Sequence, residues 1–312
     1  MKLNMLITGG TGMVGQAIKK LENKIPCKCY FIGSKECDLT DYNQSKELFE
    51  KIKPTYVIHL AACVGGLYKN MNNKVEMFEK NLLINTNVLK CCYEYNVKKC
   101  VCCLSTCIFP DKITYPIDET MLHNGPPHNS NDAYAYAKRM LEKHCQFYND
   151  NFNTNFVCII PTNIYGPYDN YNLEDSHVIP GLIHKCYLAK LSNEKFVIRG
   201  TGKPLRQFIY SNDLAKLILW VTSSYEKKDS IILSVDEKDE ISIKDVATII
   251  AKVYDYEEHM IFDPTYSDGQ YKKTASNKKL IENVGEFDFT PINAGIHETI
   301  QWFVENYNFC RK

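Results

Sequence analysis

Through its first half the chain alternates short apolar runs with stretches of helical spacing. Residues 2–8 (KLNMLIT) read as a strand, and residues 16–21 (QAIKKL) carry the spacing of a helix. Residues 27–32 (CKCYFI) read as a second strand. Asp38-Leu39-Thr40-Asp41 then opens a helix through Phe49, with carboxylates at its positive end. The run 56–62 (YVIHLAA) is nearly continuously apolar, as befits a strand covered on both faces of a parallel sheet. A helix over 81–95, a strand over 98–104, a helix from Ala133 and a strand over 157–160 continue the alternation. Such a pattern predicts an α/β fold with a doubly wound parallel sheet, whose ligands lie beyond the carboxyl ends of the strands.

Past Gly166 the texture changes. Residues 168–176 are polar and loop-like, and His177-Val178-Ile179 restarts an apolar pattern into a helix whose opening turn suits Pro180 and Gly181. Residues 206–214 read as a strand and a cap before a helix over 215–221. Residues 242–254 read as an amphipathic helix, and 267–273 as a polar loop. The expected organisation is a nucleotide-binding domain over 1–167, rejoined by about 206–224, and a smaller lobe over 168–312 covering the sheet's edge.

Composition narrows the class without naming a function. The 312 residues, 45% hydrophobic and 24% charged, suffice for a substantial core. With 37 basic and 37 acidic side chains the formal net charge is zero, so no nucleic-acid or membrane partner is expected on electrostatic grounds. No apolar run reaches the length of a membrane span, and the first residues lead straight into a strand, which makes the cytoplasm the expected location. Most of the fourteen cysteines sit inside apolar runs. Cys100 and Cys103 make a C-x-x-C spacing, but no second ligand pair accompanies it, so no metal is expected and the thiols read as small buried hydrophobes.

Chemistry enters at four places. Gly9-Gly10-Thr11-Gly12-Met13-Val14-Gly15 joins the first strand to the first helix, the context in which backbone N–H groups and a helix N-terminus receive a pyrophosphate. This points to a Rossmann-like dinucleotide site. Ser34 and Lys35, after the second strand, suit a ribose 2′-phosphate, favouring NADP(H) although Glu36 stands close by. Tyr134 and Lys138 stand four apart on a predicted helix, so phenol and ammonium share a face. The cation is expected to lower the phenol pKa and make Tyr134 a proton donor or acceptor at a reacting oxygen, with Tyr136 packing on the opposite face. Finally, Ser105-Thr106-Cys107 follows a strand, placing a hydroxyl and a candidate reactive thiol at the carboxyl edge of the sheet. His59, inside its apolar run, reads as a satisfied core histidine.

The glycine triplet, Ser105 and the Tyr134/Lys138 pair together resemble the extended short-chain dehydrogenase/reductase family. The stretches 105–110 (STCIFP), 161–167 (PTNIYGP), 176–180 (SHVIP) and 206–208 (RQF) are similar to members that epimerise C3 and C5 of a GDP-bound 4-keto-6-deoxy sugar and reduce C4 with NADPH. Such a resemblance implies that Gly9, Gly12 and Gly15 hold the pyrophosphate and Lys138 the nicotinamide ribose. It implies further that Cys103, Leu104, Ser105 and Thr106, with Pro161, Thr162, Asn163 and Ile164, line the nicotinamide.

By the same resemblance Cys107 and His177 are the epimerising base and acid, Ser105 and Tyr134 hold the C4 oxygen, and Lys185, Arg199, Arg206 and Asp268 hold the GDP-sugar. A homodimer through helices 81–95 and 133–148 is implied too. Three positions depart from the family pattern: Thr11 replaces a phosphate-reading Arg of bacterial members, Arg199 a nucleotide-side Trp, and Lys185 an Arg of some members. Two rival functions remain in view: an NAD-dependent nucleotide-sugar 4-epimerase or 4,6-dehydratase, and a non-enzymatic NADP(H)-binding regulator.

Overall fold

The computed structural model describes residues 3–312; Met1 and Lys2, of which Lys2 is counted above in the first strand, lie outside the described residues. The chain begins with β1 (Asn4–Thr8), the glycine turn and α1 (Met13–Lys19), then β2 (Lys28–Ile32), α2 (Tyr42–Ile52) and β3 (Tyr56–His59). It continues through α3 (Leu67–Asn72), α4 (Lys74–Glu94), β4 (Lys99–Cys103), α5 (Asp132–Phe152), β5 (Phe156–Pro161) and β6 (Asn163–Tyr165). After these come α6 (Val178–Ser192), β7 (Phe196–Arg199), β8 (Leu205–Arg206), β9 (Phe208–Tyr210), α7 (Ser211–Ser224) and β10 (Ile231–Leu233). The last elements are β11 (Ile241–Ser242), α8 (Ile243–Val253), β12 (Met260–Asp263), α9 (Lys278–Val284) and α10 (Ile292–Glu305).

Six strands form one parallel sheet in the order β10-β5-β4-β3-β1-β2. Alternation along each strand sorts its side chains into two cores. Leu6, Val57, Cys100, Cys102, Phe156 and Cys158 face α2, α4 and α5, where Phe49, Val88 and Leu141 meet them. Met5, Ile7, Ile58, Val101, Val157 and Ile159 face α1 and α7. The expected doubly wound sheet is present. Each large aliphatic buried here stabilises the fold by about 1.5–3 kcal/mol. The buried Lys99 of β4 donates from Nζ to the carbonyls of Val221 and Tyr225 at the end of α7, and burial pushes its ammonium down to about 8.

A separate cluster joins α6, α8 and α10 to β7 and β9 through Ile183, Phe196, Phe208, Val246, Ile250, Ile296 and Phe303. Helix α8 starts where the sequence says it should. Ser242 caps it, its Oγ accepting from the Asp245 N–H at 3.0 Å and donating to the Asp245 carboxylate at 2.5 Å. The cap of α2 is Asp41, which accepts from the N–H groups of Asn43 and Gln44. Gln207, wholly buried between β8 and β9, donates through Nε2 to the carbonyls of Val235, Asp236 and Ala275. Its Oε1 accepts from the Ala275 N–H.

Some boundaries differ from expectation. Helix α4 starts at Lys74 rather than 81 and buries Met77 in its first turns. Helix α7 starts at Ser211 rather than 215. No side chain caps α5 at Asn131, and the Asp132 carboxylate accepts from the Ala133 N–H of its own first turn. Tyr136 is 40% exposed rather than packed in the core, with the Arg139 guanidinium 5.7 Å from its ring centre. Residues 231–233 were not read as a strand, yet β10 closes one edge of the sheet.

Candidate active site

The carboxyl ends of β1, β3, β4 and β5 open onto one cleft of about 730 Å³, a size that suits a small-molecule ligand. At its floor the glycine turn is as tight as a dinucleotide site requires. Gly9 adopts φ +68°, and a Cβ there would lie 2.7 Å from the Ala61 nitrogen. A Cβ on Gly15 would lie 2.4 Å from the Gly10 carbonyl oxygen, so this helix turn can pack on the strand only as glycine. Gly9, Thr11, Gly12, Met13, Val14 and Gly15 line the cleft, whereas Gly10 sits beneath it, donating its N–H to the Ile32 carbonyl at 2.9 Å.

The edge after β2 bears on cofactor choice. Ser34 lines the cleft and Lys35 does not. The Glu36 carboxylate accepts from the Gly33 N–H at 2.7 Å and is thereby engaged within its own turn. Further in, Pro161, Thr162, Asn163 and Ile164 line the cleft opposite Cys103, Leu104, Ser105 and Thr106. The Thr162 hydroxyl is buried with no partner among the described residues, a donor and acceptor left for a ligand. A tight glycine turn, a roomy cleft and an orphaned hydroxyl fit a nicotinamide dinucleotide.

Helix α5 brings three groups to the end of β4. Tyr134 faces the cleft; Lys138, 2% exposed, donates from Nζ to the Cys103 carbonyl at 2.7 Å. Arg139 donates from Nε to the Ile108 carbonyl at 2.6 Å. Two consecutive cations therefore brace both ends of the segment that carries Ser105 and Cys107. That segment is a 3-10 turn over Thr106–Ile108 with Ser105 as its N-cap, its Oγ accepting from the Cys107 N–H at 3.4 Å.

Burial dominates the protonation states. It holds the Tyr134 phenol well above its usual range, with the nearby thiols of Cys107, Cys103 and Cys63 pushing the same way. This corrects the expectation that Lys138 lowers the phenol: its Nζ lies 5.8 Å from the ring centre and is bonded elsewhere. Lys138 is itself pushed down by burial. Burial also raises the Cys107 thiol, against the Ser105 hydrogen bond and the charges of Lys273 and Lys138, which pull it down.

His177 stands at the N-cap of α6, exposed, and lines the same cleft as Cys107, Ser105 and Tyr134. Arg206 lines it as well, its guanidinium held by the carbonyls of Leu205 and Gln270, both at 2.7 Å. Lys185, Arg199 and Asp268 do not line it. Burial and the neighbouring Arg199 lower Lys185. The Arg199 guanidinium lies 4.7 Å from the Tyr266 ring centre, and both Asp268 oxygens accept from Thr201.

Lys273, Asp169 and Arg311 also line the cleft and had no role in the sequence reading. The Lys272-Lys273 pair closing the polar loop 267–273 was a signal for the first; nothing local marked the others. His59 is a core histidine as read, its Nδ1 2.8 Å from the Thr8 hydroxyl and its Nε2 3.1 Å from Asn85 Oδ1. Among the described residues no helix is long and apolar enough to cross a membrane.

Known proteins share this architecture along its length. Residues 5–235 match the family described as "NAD dependent epimerase/dehydratase family". The GDP-L-fucose synthase of Dictyostelium discoideum is 57% identical over 314 residues, an alignment covering 100% of this chain and 98% of that protein. A probable GDP-L-fucose synthase of Drosophila melanogaster is 48% identical, covering 99% of both. The crystal structure of a GDP-L-fucose synthetase from Naegleria fowleri bound to NADP superposes with a TM-score of 0.95 at 51% identity, covering 99% of this chain and 95% of that one. The chain belongs to the NAD dependent epimerase/dehydratase family, among its GDP-L-fucose synthases.

Proposed function

We propose that the chain converts GDP-4-keto-6-deoxy-D-mannose to GDP-L-fucose by epimerising C3 and C5 and then reducing C4. The carrying observation is that Cys107, His177, Ser105, Tyr134 and Lys138 all meet on one cleft above the glycine turn. Full-length similarity to the Dictyostelium discoideum synthase supports it. The turn from Gly9 to Gly15, with Ser34, Thr162 and Lys138, would hold NADP(H). When bound, NADPH supplies the hydride that C4 receives.

The ketone at C4 acidifies the hydrogens on C3 and C5. Inverting each centre takes a base on one face and an acid on the other, roles assigned to Cys107 and His177. The free chain holds Cys107 as a thiol, so the base must be generated in the cleft, and Lys273 and Lys138 supply the charge that favours thiolate. The negative charge that develops on the C4 oxygen falls to the hydroxyls of Ser105 and Tyr134. Tyr134 then gives its proton to that oxygen, and Lys138 steadies the phenolate left behind. Arg206, Lys185, Arg199 and Asp268 are assigned to the GDP-sugar, with Arg206 nearest the reacting cleft.

Two copies are proposed to pair through α4 and α5. Leu83 and Tyr93 on α4, and Met140, Phe147 and Phe152 on α5, leave large apolar surfaces exposed on these two packed helices. The proposed place of work is the cytoplasm, consistent with fourteen unpaired cysteines. Purified protein given GDP-4-keto-6-deoxy-D-mannose and NADPH should consume NADPH and yield GDP-L-fucose. No NADPH consumption, or a sugar product retaining its C3 and C5 configuration, would overturn the assignment.

A further inference from the structure

We propose that Arg139 is a positioning residue for the epimerising half of the reaction, fixing from α5 the turn that carries Cys107 while leaving the Tyr134/Lys138 pair as it is. This rests on the reading of Cys107 as the base. Arg139 is 5% exposed and lies outside the cleft lining. Its Nε donates to the Ile108 carbonyl at 2.6 Å, one residue beyond Cys107, and its Nη2 is buried with no partner among the described residues. A buried guanidinium with an idle N–H group is a costly way to fill space, since an apolar side chain would pack there without that loss. What the guanidinium does hold is the end of the Cys107 turn.

The turn needs that hold, because its own bonds are long. The Ile108 N–H donates to the Ser105 carbonyl at 3.2 Å, the Phe109 N–H to the Thr106 carbonyl at 3.3 Å, and the Cys107 N–H to Ser105 Oγ at 3.4 Å. An ordinary N–H···O bond is about 2.9 Å, and the geometry of a 3-10 turn is poorer than that of an α-helix. The charge-assisted bond from Arg139 at 2.6 Å is the firmer constraint, about twice as strong as a neutral one. Burial of Ile108 and Phe109 keeps the turn in the core, but non-directional packing does not set the rotation of its peptides. The other end of the segment is held differently. The Leu104 N–H still pairs with the Ile159 carbonyl of β5 at 2.8 Å, and Lys138 takes the Cys103 carbonyl at 2.7 Å. Ser105 is therefore placed from the sheet, and Cys107 from the Arg139 side.

The consequence is a division of labour between neighbours on one helix. Lys138 secures the end of the segment beside Ser105, and Arg139 secures the end beside Cys107. A base has to stand within hydrogen-bond reach of the proton it takes, and a displacement of about 1 Å can cost about 10²-fold in rate. Losing Arg139 should move Cys107 off its target more than it moves Ser105, Tyr134 or the cofactor site. The effect is one of place rather than charge, because Lys273 and Lys138, which favour the Cys107 thiolate, both remain.

The test is exchange of deuterium from solvent into C3 and C5 of GDP-4-keto-6-deoxy-D-mannose, followed against pH and set beside single-turnover reduction of the unepimerised ketone by NADPH. Arg139→Met should lower the plateau of exchange about 10²-fold with its acidic limb in place. NADPH binding and the C4 step should change little, and Arg139→Lys, which keeps a charged donor, should recover most of the exchange. An unchanged plateau in Arg139→Met overturns the proposal. So does a fall of exchange and reduction by the same factor, the mark of a merely structural role. A plateau kept while the acidic limb moves up by about one unit overturns it too, since the cation would then act on the thiol by charge. Should Arg139→Met not fold, Arg139→Gln carries the same comparison. Cys107→Ser in the same assay separates the two layers: normal exchange there removes Cys107 as base, whereas lost exchange there with normal exchange in Arg139→Met removes Arg139 alone.

Discussion

Tyr134 and Lys138 ride a turn apart on the long helix α5, packed against the main core, and Lys138 is fixed by the Cys103 carbonyl. Cys107 and His177 have no such common carrier. One lies in a buried 3-10 turn after β4, the other at the exposed start of α6, whose body packs into a different hydrophobic cluster. The pair proposed for reduction is set by the geometry of a single helix, so its alignment survives small shifts of α6 and its cluster. The pair proposed for epimerisation exists only while both regions keep their relative places. On that assignment, reduction should tolerate loosening of the α6 cluster better than epimerisation does.

Substitutions can break this contrast directly. Cys107→Ser is expected to bring solvent exchange at C3 and C5 to background, while the unepimerised 4-ketone is still reduced. Product analysis checks it, and equal loss of both activities would deny the thiol its role. Tyr134→Phe should cost around 10²–10⁴ in the C4 step, the worth of a positioned acid, read as single-turnover NADPH oxidation. A near-normal rate would remove Tyr134 as proton donor.

Smaller effects sharpen the comparison. Lys273→Met removes a cation that favours the Cys107 thiolate. The acidic limb of the exchange profile should then move to higher pH, with a loss of about tenfold near neutrality and little change in the reduction step. The smallest effect is on stability. Burial depresses the folded-state pKa of His59, His144 and His184. Their neutral forms belong to the folded chain, so their contribution is complete above the unfolded value of about 6.5. It is lost as pH falls from there through the folded values. Thermal midpoints at pH 7.5 and 5.5 should differ, with the lower at pH 5.5, and a midpoint that rises on acidification would contradict the sign.

Much of the sheet was legible because a strand buried on both faces has to be mostly apolar, as 56–62 apart from His59, 100–104 and 157–160 are. The glycine turn was legible because sterics leave no other residue at Gly9 or Gly15. What escaped was non-local. The three residues of β10 join the sheet only because β5 offers an edge, and Ile-Ile-Leu alone does not declare that. Asp169 and Arg311 reach the cleft through contacts between distant segments that no local spacing encodes. The Tyr134 phenol went the opposite way from its expectation because sequence shows the neighbouring cation but not the burial, and burial wins.

The side-chain amide of Gln207 bonds to main-chain atoms of the segments it joins, at Val235, Asp236 and Ala275. Those partners are thus recognised without regard to their side chains and stay free to drift, while the amide itself admits no substitute of another shape. Since Arg206 and Phe208 flank it and both border the cleft, the aim of a residue proposed for the nucleotide is inherited from a neighbour outside the cleft lining.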